Sequence, residues 1–504
     1  MRKLTDYSPQ EIRSLLHDRG ICVVIPTYNN AGTIQRVVTD ALSLCEDVIV
    51  VDDGSTDGTT TQLKSITGIT LVGYERNRGK GYALKMGFRR ALQMGFAYAI
   101  TMDADGQHYA SDIPLFLQAN MENPGALIVG SRQFGDAVRT KGSTFANRFS
   151  NFWFYVQTGR RLPDTQTGFR LYPLHKLHFL SLLTNRYEAE LELLVGASWS
   201  GIQLVDIPVR VYYPPAEERV SHFRPRADFL RITLLNCVLC LLAIVVGLPL
   251  RLLHFLDKWG RTLFSLLFFM FFSLLVITPG VWVYTHWGRM TNKKRFRLHQ
   301  LIYWLARTIM LRLGIPGVKF SYDVTEPSAF QHPHIIICNH QSHLDLMCML
   351  IFTPRIVFLT NDWVWHNPFY GFLIRHAEYL PVKEGIEALV PQLRNLVERG
   401  YSIAVFPEGT RSRDCRIGRF HQGAFYLAQK LNINVLPMVL YGTGRVLRKK
   451  TYHLNRWPIY IKVYRSISVA ELNAIGGLKE QARAMRHRYE QEFQRICNEI
   501  EQHI

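Results

Sequence analysis

Acidic side chains form two short runs in the first half of the chain, and each run directly follows an apolar segment. Asp52 and Asp53 end the segment VVDD, and Asp103 and Asp105 end the segment ITMDAD. Two carboxylates separated by one residue suit Mg²⁺ or Mn²⁺, whose open coordination positions can take diphosphate oxygens. Acidic residues at turns are more often helix caps or solvated loops, so the pattern gains its weight from the two runs occurring together.

A histidine and an aspartate five residues apart form a second candidate centre. The segment NHQSHLD carries His340 and Asp345 just after the apolar run HIIIC. This spacing lets the carboxylate reach back around one helical turn and orient the imidazole as a general base. Further along, FPEGTRSR supplies Glu408, Gly409 and Arg411 in a turn whose backbone donors suit a phosphate.

The elements around the first acidic runs alternate between short β-rich segments and segments of helical period. The β-rich segments of residues 21–132 are ICVVIPTY, DVIVVDD, ITLVGY, YAITMDAD and ALIVGS. Such alternation predicts an α/β layered domain with a largely parallel sheet. Ligands bind beyond the carboxyl ends of the strands in these sheets, so we expect the four aspartates to converge on one edge.

Two long uncharged runs, residues 232–250 and 262–288, separate this domain from the rest of the chain. A helical residue rises about 1.5 Å, so the first run nearly spans a bilayer core of about 30 Å. Basic residues flank both outer ends, while only RLLHFLDKWGR lies between the runs. This pattern predicts a two-helix membrane hairpin with both flanking domains in the cytosol. Pro249, Pro279 and the basic connection leave interfacial or core helices as the alternative.

A second α/β domain is predicted after the hairpin, because strand-like and helical runs alternate again over about residues 318–504. A basic amphipathic helix precedes it and is suited to lying along a membrane surface. The predicted organisation is therefore an α/β nucleotide-binding domain over residues 1–230, the hairpin over 231–289 and the second α/β domain over 290–504.

Composition limits the choice of partners. The 504 residues carry a formal net charge of +19 and are 48% hydrophobic, which indicates a folded chain that attracts polyanions. The basic runs flank the apolar segments and no nucleic-acid-binding motif accompanies them, so membrane lipids are the expected partner and nucleic acid is not. The charged N-terminus lacks a signal-peptide pattern, and the eight scattered cysteines indicate reduced thiols.

Five motifs of the first half together resemble a family 2 glycosyltransferase of the dolichol-phosphate-mannose-synthase-like branch: IPTYNN, VVDDGSTDGT, NRGKG, DADGQH and TGFRLY. The resemblance covers about residues 21–223 and implies a GT-A fold with inverting transfer from a nucleotide-diphosphate sugar. It implies that the nucleotide sugar is bound by Asp52, Asp53 and Lys80. It implies that Mg²⁺ or Mn²⁺ is held by Asp103, Asp105 and Gln107. The phosphate-binding positions of that branch are matched loosely by Arg132, Arg139, Ser143 and Arg219.

The acceptor decides whether glycosyl transfer needs a base. A lipid phosphate is already a nucleophile, whereas a hydroxyl would need a carboxylate. Asp164 in DTQTGFR and Glu190 are the candidates. A helix cap or a charge on a helix face explains either residue equally well.

The HxxxxD and FPEGTRS blocks of the second half resemble the glycerolipid acyltransferase superfamily typified by lysophosphatidate acyltransferase, over about residues 298–464. The resemblance implies that His340 deprotonates an acceptor hydroxyl for attack on an acyl thioester, carried by coenzyme A or acyl carrier protein. It implies that Glu408 and Arg411 bind the acceptor, with Gly409 in the same loop. The segment AEYLPVKEG departs from the pattern, because Lys383 stands where the family usually has a phosphate-contacting arginine, and lysine lacks the bidentate fork.

The two resemblances predict a bifunctional enzyme of lipid or glycolipid biosynthesis, at the inner membrane of a bacterium with both catalytic domains facing the cytosol. The alternative is one active domain, with the other retained for lipid binding. No oligomeric state is predicted.

Overall fold

The structure is a computed structural model that describes residues 7–132, 141–177, 184–212, 225–271, 278–313, 315, 317–367, 371–382, 385–412, 414–451 and 453–501. Its internal contacts divide the chain into two compact units. The first unit comprises Met1–His254 and Asn498–Ile504, and the second comprises Phe255–Cys497. Each unit is built around a seven-stranded mixed sheet with helices packed on it, so both predicted α/β domains are confirmed.

The first unit alternates strands and helices as its sequence predicts. Its strands are β1 (Ile21–Thr27), β2 (Val48–Asp52), β3 (Ile69–Gly73), β4 (Tyr98–Thr101), β5 (Leu127–Arg132), β6 (Arg170–Pro173) and β7 (Leu204–Val209). Its helices are α1 (Pro9–Asp18), α2 (Ile34–Leu42), α3 (Thr59–Ser65), α4 (Lys80–Gln93), α5 (Ile113–Glu122), α6 (Lys141–Thr158), α7 (Leu174–Leu177) and α8 (Glu188–Trp199). The sheet order is β3-β2-β1-β4-β6-β5-β7, and only β6 pairs antiparallel with its neighbours.

Burial on both faces explains why the central strands β1, β2 and β4 read as continuous apolar runs. All seven residues of β1 are buried, because helices cover both faces of the sheet and form a core cluster on each. The parallel pairs β1–β2 and β1–β4 bring the carboxyl ends of β2 and β4 to the same edge. The aspartates that follow these strands therefore lie at one edge, as expected.

A long helix follows the first sheet and includes the segment predicted to connect the hairpin. It consists of α9 (Pro225–Leu242), a π-helical turn (Ala243–Gly247) and α10 (Leu248–Phe271). The predicted connection, residues 251–261, lies within α10 and forms no turn. Pro249 lies just after the π-helical turn, where the regular i→i−4 hydrogen-bond pattern is already interrupted, and the helix continues through it.

Hydropathy and length single out one candidate membrane span among the described residues, Leu230–Leu267. The second apolar run is split between the end of α10 and α11 (Thr278–His286), with residues 272–277 outside the described part. The two-helix hairpin is therefore not confirmed.

The second unit begins with the C-terminal part of α10 and α11. Its other helices are α12 (Asn292–Arg307), α13 (Leu344–Leu350), α14 (Asp362–Trp365), α15 (Gly371–His376), α16 (Ile386–Glu398), α17 (Gly423–Leu431), α18 (Thr443–Val446), α19 (Val469–Ile475) and α20 (Leu478–Glu501). Its strands are β8 (Phe320–Val324), β9 (Ile335–Cys338), β10 (Ile356–Thr360), β11 (Leu380–Pro381), β12 (Ser402–Val405), β13 (Val435–Tyr441) and β14 (Ile459–Val463). The sheet order is β11-β10-β12-β9-β13-β14-β8.

The central strands of the second sheet position its reactive residues. β9 lies between β12 and β13 and runs parallel to both, so the loops after β9 and β12 emerge at the same edge. Buried Asn339, directly after β9, exchanges two hydrogen bonds of 2.8 Å with the backbone of Leu440. This amide crosslink fixes the chain where the HxxxxD motif begins.

Candidate active sites

A lysine lies between two carboxylates at the acidic edge of the first sheet. Lys80, the first residue of α4, places its Nζ atom 2.6 Å from Asp103 Oδ1 and 3.1 Å from Glu190 Oε1. Burial alone would lower the pKa of Lys80, but the two carboxylates outweigh it and raise the pKa above its ordinary value. Lys80 therefore stays charged and joins α4, the β4 edge and α8.

The surroundings of the two aspartates shift their pKa values in opposite directions. Burial, together with the negative charge of Asp103, raises the pKa of Asp105. Burial also opposes ionisation of Asp103, but the Lys80 ammonium group outweighs it and lowers the pKa of Asp103. The backbone N–H of Gln107 donates to Asp105 Oδ1 at 3.0 Å. The two carboxylates predicted to hold a metal thus lie together, and Lys80 forms its ion pair with Asp103.

The donor chemistry of this edge fits a hard divalent cation. Among the described residues no group of three or more histidine, cysteine, aspartate or glutamate side chains could hold a metal ion. Mg²⁺ is usually bound in proteins through one or two carboxylates together with substrate phosphates and water. Asp103 and Asp105 match that smaller set, and the Gln107 backbone N–H contacts Asp105.

Asp52 and Asp53 shape the loops around the predicted nucleotide site. Asp52 accepts hydrogen bonds from the Ser55 N–H at 3.0 Å and the Thr60 hydroxyl at 2.5 Å. Asp53 accepts from the N–H groups of Arg78 and Gly79, both at 2.8 Å. Asp53 therefore holds the NRGKG loop in place and fixes the start of the helix that carries Lys80.

Arg132 and Asp164 form a bidentate ion pair at the end of β5. The Nε–Oδ2 distance is 2.5 Å and the Nη2–Oδ1 distance is 2.9 Å. Burial would raise the pKa of Asp164, but the Arg132 guanidinium outweighs it and lowers the pKa. A carboxylate in this state is a weak base, so the geometry favours Asp164 as a positioning residue for Arg132. Of the looser matches, Arg139, Arg219 and the Ser143 side chain lie outside the described residues.

We expect Asp164→Ala to lower the free energy of unfolding of the first unit by about 3–5 kcal/mol, because it removes the carboxylate from a mostly buried guanidinium. The folded-state pKa of Asp164 is lowered, so this stabilisation is present above the ordinary aspartate pKa of about 3.9 and is lost as the pH falls through the lower value. Urea unfolding of the wild type and the variant at pH 7 and at acidic pH measures both effects. Asp206→Ala, at an exposed position, is the control. An equal loss at both pH values would contradict the pairing.

The motif TGFRLY supports the acidic edge in a way that its sequence did not reveal. Gly168 lies so close to Asp103 that a Cβ atom there would approach the carboxylate to 2.4 Å. Phe169 stacks on His108 with ring centroids 4.9 Å apart, and buried Arg170 donates to the Glu190 carbonyl oxygen at 2.8 Å. A glycine inside a motif was the available signal, since only a residue without a side chain permits this approach.

The second site contains the predicted histidine–aspartate pair. His340 Nδ1 lies 2.8 Å from Asp345 Oδ2, and Asp345 is fully buried in the first turn of α13. The same oxygen accepts the backbone N–H groups of Gln341 and Ser342. The His340 ring stacks on Phe406 with centroids 4.0 Å apart. These contacts fix the imidazole orientation and leave Nε2 as the ring nitrogen that faces away from the aspartate.

Glu408 joins the two motifs of the second site. Its Oε1 atom accepts the His340 N–H at 2.9 Å, and its Oε2 atom accepts the Gly418 N–H at 2.8 Å. Burial raises the pKa of Glu408 to about 7, although both N–H donors oppose the rise. These two contacts give Glu408 a positioning role beside the binding role that the resemblance implies.

The FPEGTRS loop has a backbone shape that the sequence anticipates. Gly409 has φ +65°, a left-handed conformation that disfavours other residues, and its N–H donates to the Phe406 carbonyl oxygen at 3.0 Å. Lys449 Nζ donates to the Arg411 carbonyl oxygen at 2.6 Å. Lys383 lies outside the described residues.

We expect Gly418→Ala to reduce the rate of acyl transfer by about 10- to 100-fold. This factor corresponds to the loss of one hydrogen bond to a charged group, which contributes roughly 1.5–3 kcal/mol. A Cβ atom at this position would lie 2.6 Å from Glu408 Oε2 and displace a carboxylate that is held by two backbone donors. Steady-state acyl transfer with the purified full chain tests this. Gly260→Ala is the matched control, because nothing lies within 4 Å of its added methyl group. Equal rates for the two variants would show that the Glu408 position is unimportant.

Comparison with known proteins assigns the two units. Residues 22–175 match the family model Glycosyl transferase family 2, and residues 319–441 match the family model Acyltransferase. The chain joins a family 2 glycosyltransferase domain to an acyltransferase domain. The first match includes the acidic edge, and the second includes the His340–Asp345 pair and Glu408.

Individual relatives agree with this division of the transferase. A UDP-N-acetylglucosamine–dolichyl-phosphate N-acetylglucosaminyltransferase of Methanococcus voltae is 29% identical over 220 residues, which cover 39% of this chain and 87% of the relative. A chloroplastic 1-acyl-sn-glycerol-3-phosphate acyltransferase of Arabidopsis thaliana is 32% identical over 160 residues. That match covers 30% of this chain and 44% of the relative. A solved 1-acyl-sn-glycerophosphate acyltransferase of Thermotoga maritima is 19% identical with a TM-score of 0.40, covering 47% of this chain and 97% of that one.

Proposed function

We propose that this transferase is a bifunctional enzyme of lipid or glycolipid biosynthesis. It transfers a sugar from a nucleotide-diphosphate sugar to a lipid acceptor and an acyl chain from a thioester to a lipid or glycolipid hydroxyl. The observation that carries the proposal is the oriented His340–Asp345 pair, 2.8 Å apart, in a chain that also retains the two carboxylates of the DAD motif beside a charged lysine. The names of the Methanococcus voltae and Arabidopsis thaliana relatives both refer to lipid acceptors, dolichyl phosphate and 1-acyl-sn-glycerol-3-phosphate.

In acyl transfer, His340 acts as the general base. Its Nε2 atom takes the proton from the acceptor hydroxyl while that oxygen attacks the thioester carbonyl carbon. The carbon–sulfur bond then breaks, and the leaving thiolate receives the proton back from the imidazole. Asp345 holds the proton on Nδ1 throughout and stabilises the imidazolium. Coenzyme A or acyl carrier protein supplies the acyl group.

In glycosyl transfer, the acceptor oxygen attacks the anomeric carbon and the bond to the nucleoside diphosphate breaks. Asp103 and Asp105, with Gln107, would hold Mg²⁺ or Mn²⁺, which when bound neutralises charge on the diphosphate. Lys80 adds a positive charge at the same edge of the sheet. Asp164 positions the Arg132 guanidinium so that it can bind a phosphate group. A lipid phosphate acceptor suits this arrangement, because Asp164 is paired and its pKa is lowered.

The two reactions are proposed to act in sequence on one lipid, at the cytosolic face of a bacterial inner membrane. Tethering both sites in one chain keeps an insoluble intermediate near the second site, at an effective concentration of up to about the millimolar range. The test supplies the full chain with nucleotide sugars and an acyl donor, each carrying a different label, and follows both by mass spectrometry. A doubly labelled lipid that disappears in either site variant supports the proposal. Two singly labelled products that never combine reject the sequential order.

A further inference from the structure

The first part of the long helix packs lengthwise on the first unit. Leu235, Leu239 and Ala243 recur at intervals of four residues, and all three are buried in the core cluster of that unit. Gly247 continues the same stripe, and a Cβ atom there would lie 2.6 Å from the Trp199 indole nitrogen. The side chain of Gln157 on α6 donates to the Asn236 side chain at 2.9 Å, and both residues are buried.

This packing continues beyond the π-helical turn. A Cβ atom on Gly159 would lie 3.0 Å from the Arg251 guanidinium, and one on Gly201 would lie 3.1 Å from the His254 ring. From Leu235 to His254 the helix rises by about 29 Å, which equals the hydrocarbon thickness of a bilayer, about 30 Å. If this stretch crossed a membrane, the surface of the first unit that packs along it would have to enter the hydrocarbon as well.

The second part of the helix is unsuited to crossing for a different reason. Asp257 lies 3.2 Å from Arg261 and 2.5 Å from Arg456 within the second unit. One turn further, the Thr262 hydroxyl accepts the Leu454 N–H at 3.2 Å. Charged and polar side chains in this stretch are thus engaged by a polar surface, and charges inside a bilayer are costly.

The side of the helix opposite the packed stripe is apolar and exposed. We call these residues the outer face, and each is more than half exposed: Leu230, Leu234, Leu241, Ile244, Val245 and Leu248. The helix α6, which packs beside α9, adds exposed Phe152, Tyr155 and Val156. The Arg161 guanidinium lies 5.3 Å from the centre of the Tyr155 ring, so positive charge borders the apolar surface.

We infer that the helix Leu230–Leu267 does not cross the membrane but lies in its surface plane, with the outer face inserted into one leaflet. A bilayer is the occupant that fits, because the exposed side chains are aliphatic and aromatic, the border is basic and anionic headgroups complement it. The identity of the occupant rests on the proposed lipid substrates, whereas the in-plane orientation rests on packing alone.

The inferred orientation gives the glycosyltransferase site access to lipid. On α6, Asn151 accepts the Thr165 N–H at 3.0 Å and donates to the Pro163 carbonyl oxygen at 2.7 Å. The loop that carries Asp164, and through it Arg132, is therefore fixed to a helix that presents exposed apolar residues. A lipid acceptor could offer its headgroup to Arg132 while its chains remain in the leaflet.

Depth measurement with nitroxide labels distinguishes an in-plane helix from a crossing one. Labels are placed at Leu234→Cys, Leu241→Cys, Val245→Cys and Leu248→Cys in the full chain, in a Cys237→Ser, Cys240→Ser background whose residual labelling is subtracted. In phosphatidylglycerol–phosphatidylethanolamine vesicles we expect all four labels at one shallow depth of about 5–10 Å. A crossing helix would instead change the depth by about 1.5 Å per residue. That graded profile, or labels equally exposed to water with and without vesicles, would overturn the inference.

Charge substitution on the outer face provides an independent measurement. We expect Leu241→Glu combined with Ile244→Glu to weaken vesicle binding at least tenfold in co-sedimentation, with the circular dichroism spectrum unchanged. The matched control is Leu71→Glu combined with Met94→Glu, since both residues are exposed apolar positions of the first unit away from the outer face. Equal loss in both double variants, or in neither, would reject the outer face as the docking surface. Neither measurement depends on enzymatic turnover, so it remains decisive if the proposed substrates are wrong.

Discussion

Replacing His340 by alanine is expected to reduce acyl transfer by about 10²- to 10⁴-fold, the usual contribution of general acid–base catalysis. The imidazole is held by Asp345 on one side and stacked on Phe406, so it is positioned for proton transfer. The measurement is the rate of label transfer from an acyl thioester to a lysophospholipid by the purified full chain. Glycosyl transfer by the same preparation is expected to remain at the wild-type rate.

Two further variants make the His340 result specific. His332→Ala removes an exposed histidine near the same strand and should leave acyl transfer unchanged. Asp345→Asn keeps the shape of the pair but removes the charge that stabilises the imidazolium, so we expect a large loss with little change in the Michaelis constant. Wild-type acyl transfer by His340→Ala would disprove the assignment of the base.

Replacing Asp105 by asparagine is expected to reduce glycosyl transfer by about 10²- to 10³-fold, comparable to the loss of one preorganised electrostatic group. Excess chelator should give a loss at least as large in the wild type, and added Mg²⁺ or Mn²⁺ should restore it. The measurement is sugar transfer to a lipid phosphate acceptor, with acyl transfer as the internal reference. Asp40→Asn, at an exposed position on α2, is the matched control.

The structure of the Asp105→Asn variant is expected to stay intact. Burial and the charge of Asp103 raise the pKa of Asp105, so the ionised carboxylate costs stability at neutral pH. A neutral amide of the same shape removes that cost, and the thermal unfolding temperature without added cation should not fall. Full glycosyl transfer in excess chelator would contradict the metal site, whereas a fall in unfolding temperature would indicate a structural role for Asp105.

Several features follow from local sequence patterns. The alternation of apolar strands and helices determines two α/β units, because central strands such as β1 and β9 are buried on both faces and are apolar throughout. The spacing of His340 and Asp345 determines their contact, since five residues span a loop and one helical turn. The DAD motif likewise brings Asp103 and Asp105 together, because they are two residues apart.

The sequence does not determine the surroundings of the long helix, because apolarity does not say what covers a side chain. Residues 232–250 read as a membrane span, yet Leu235, Leu239 and Ala243 are buried against the first unit. The charged segment 251–261 reads as a connection, yet it contains no proline and its Asp257–Arg261 pair supports the helix. Which side of an apolar helix meets protein is a property of tertiary packing.

Contacts between distant residues were decided by the sheet topology alone. Lys80 meets Glu190, Arg132 meets Asp164, and Glu408 meets the His340 backbone, in each case through elements far apart in the chain. Local sequence patterns do not predict these long-range contacts, because the order of the strands determines which loops lie at the same edge of a sheet. The sequence by itself therefore determined the reactive residue types and the strands that carry them. The tertiary structure decided which charged side chains form ion pairs and which face of the long helix remains exposed.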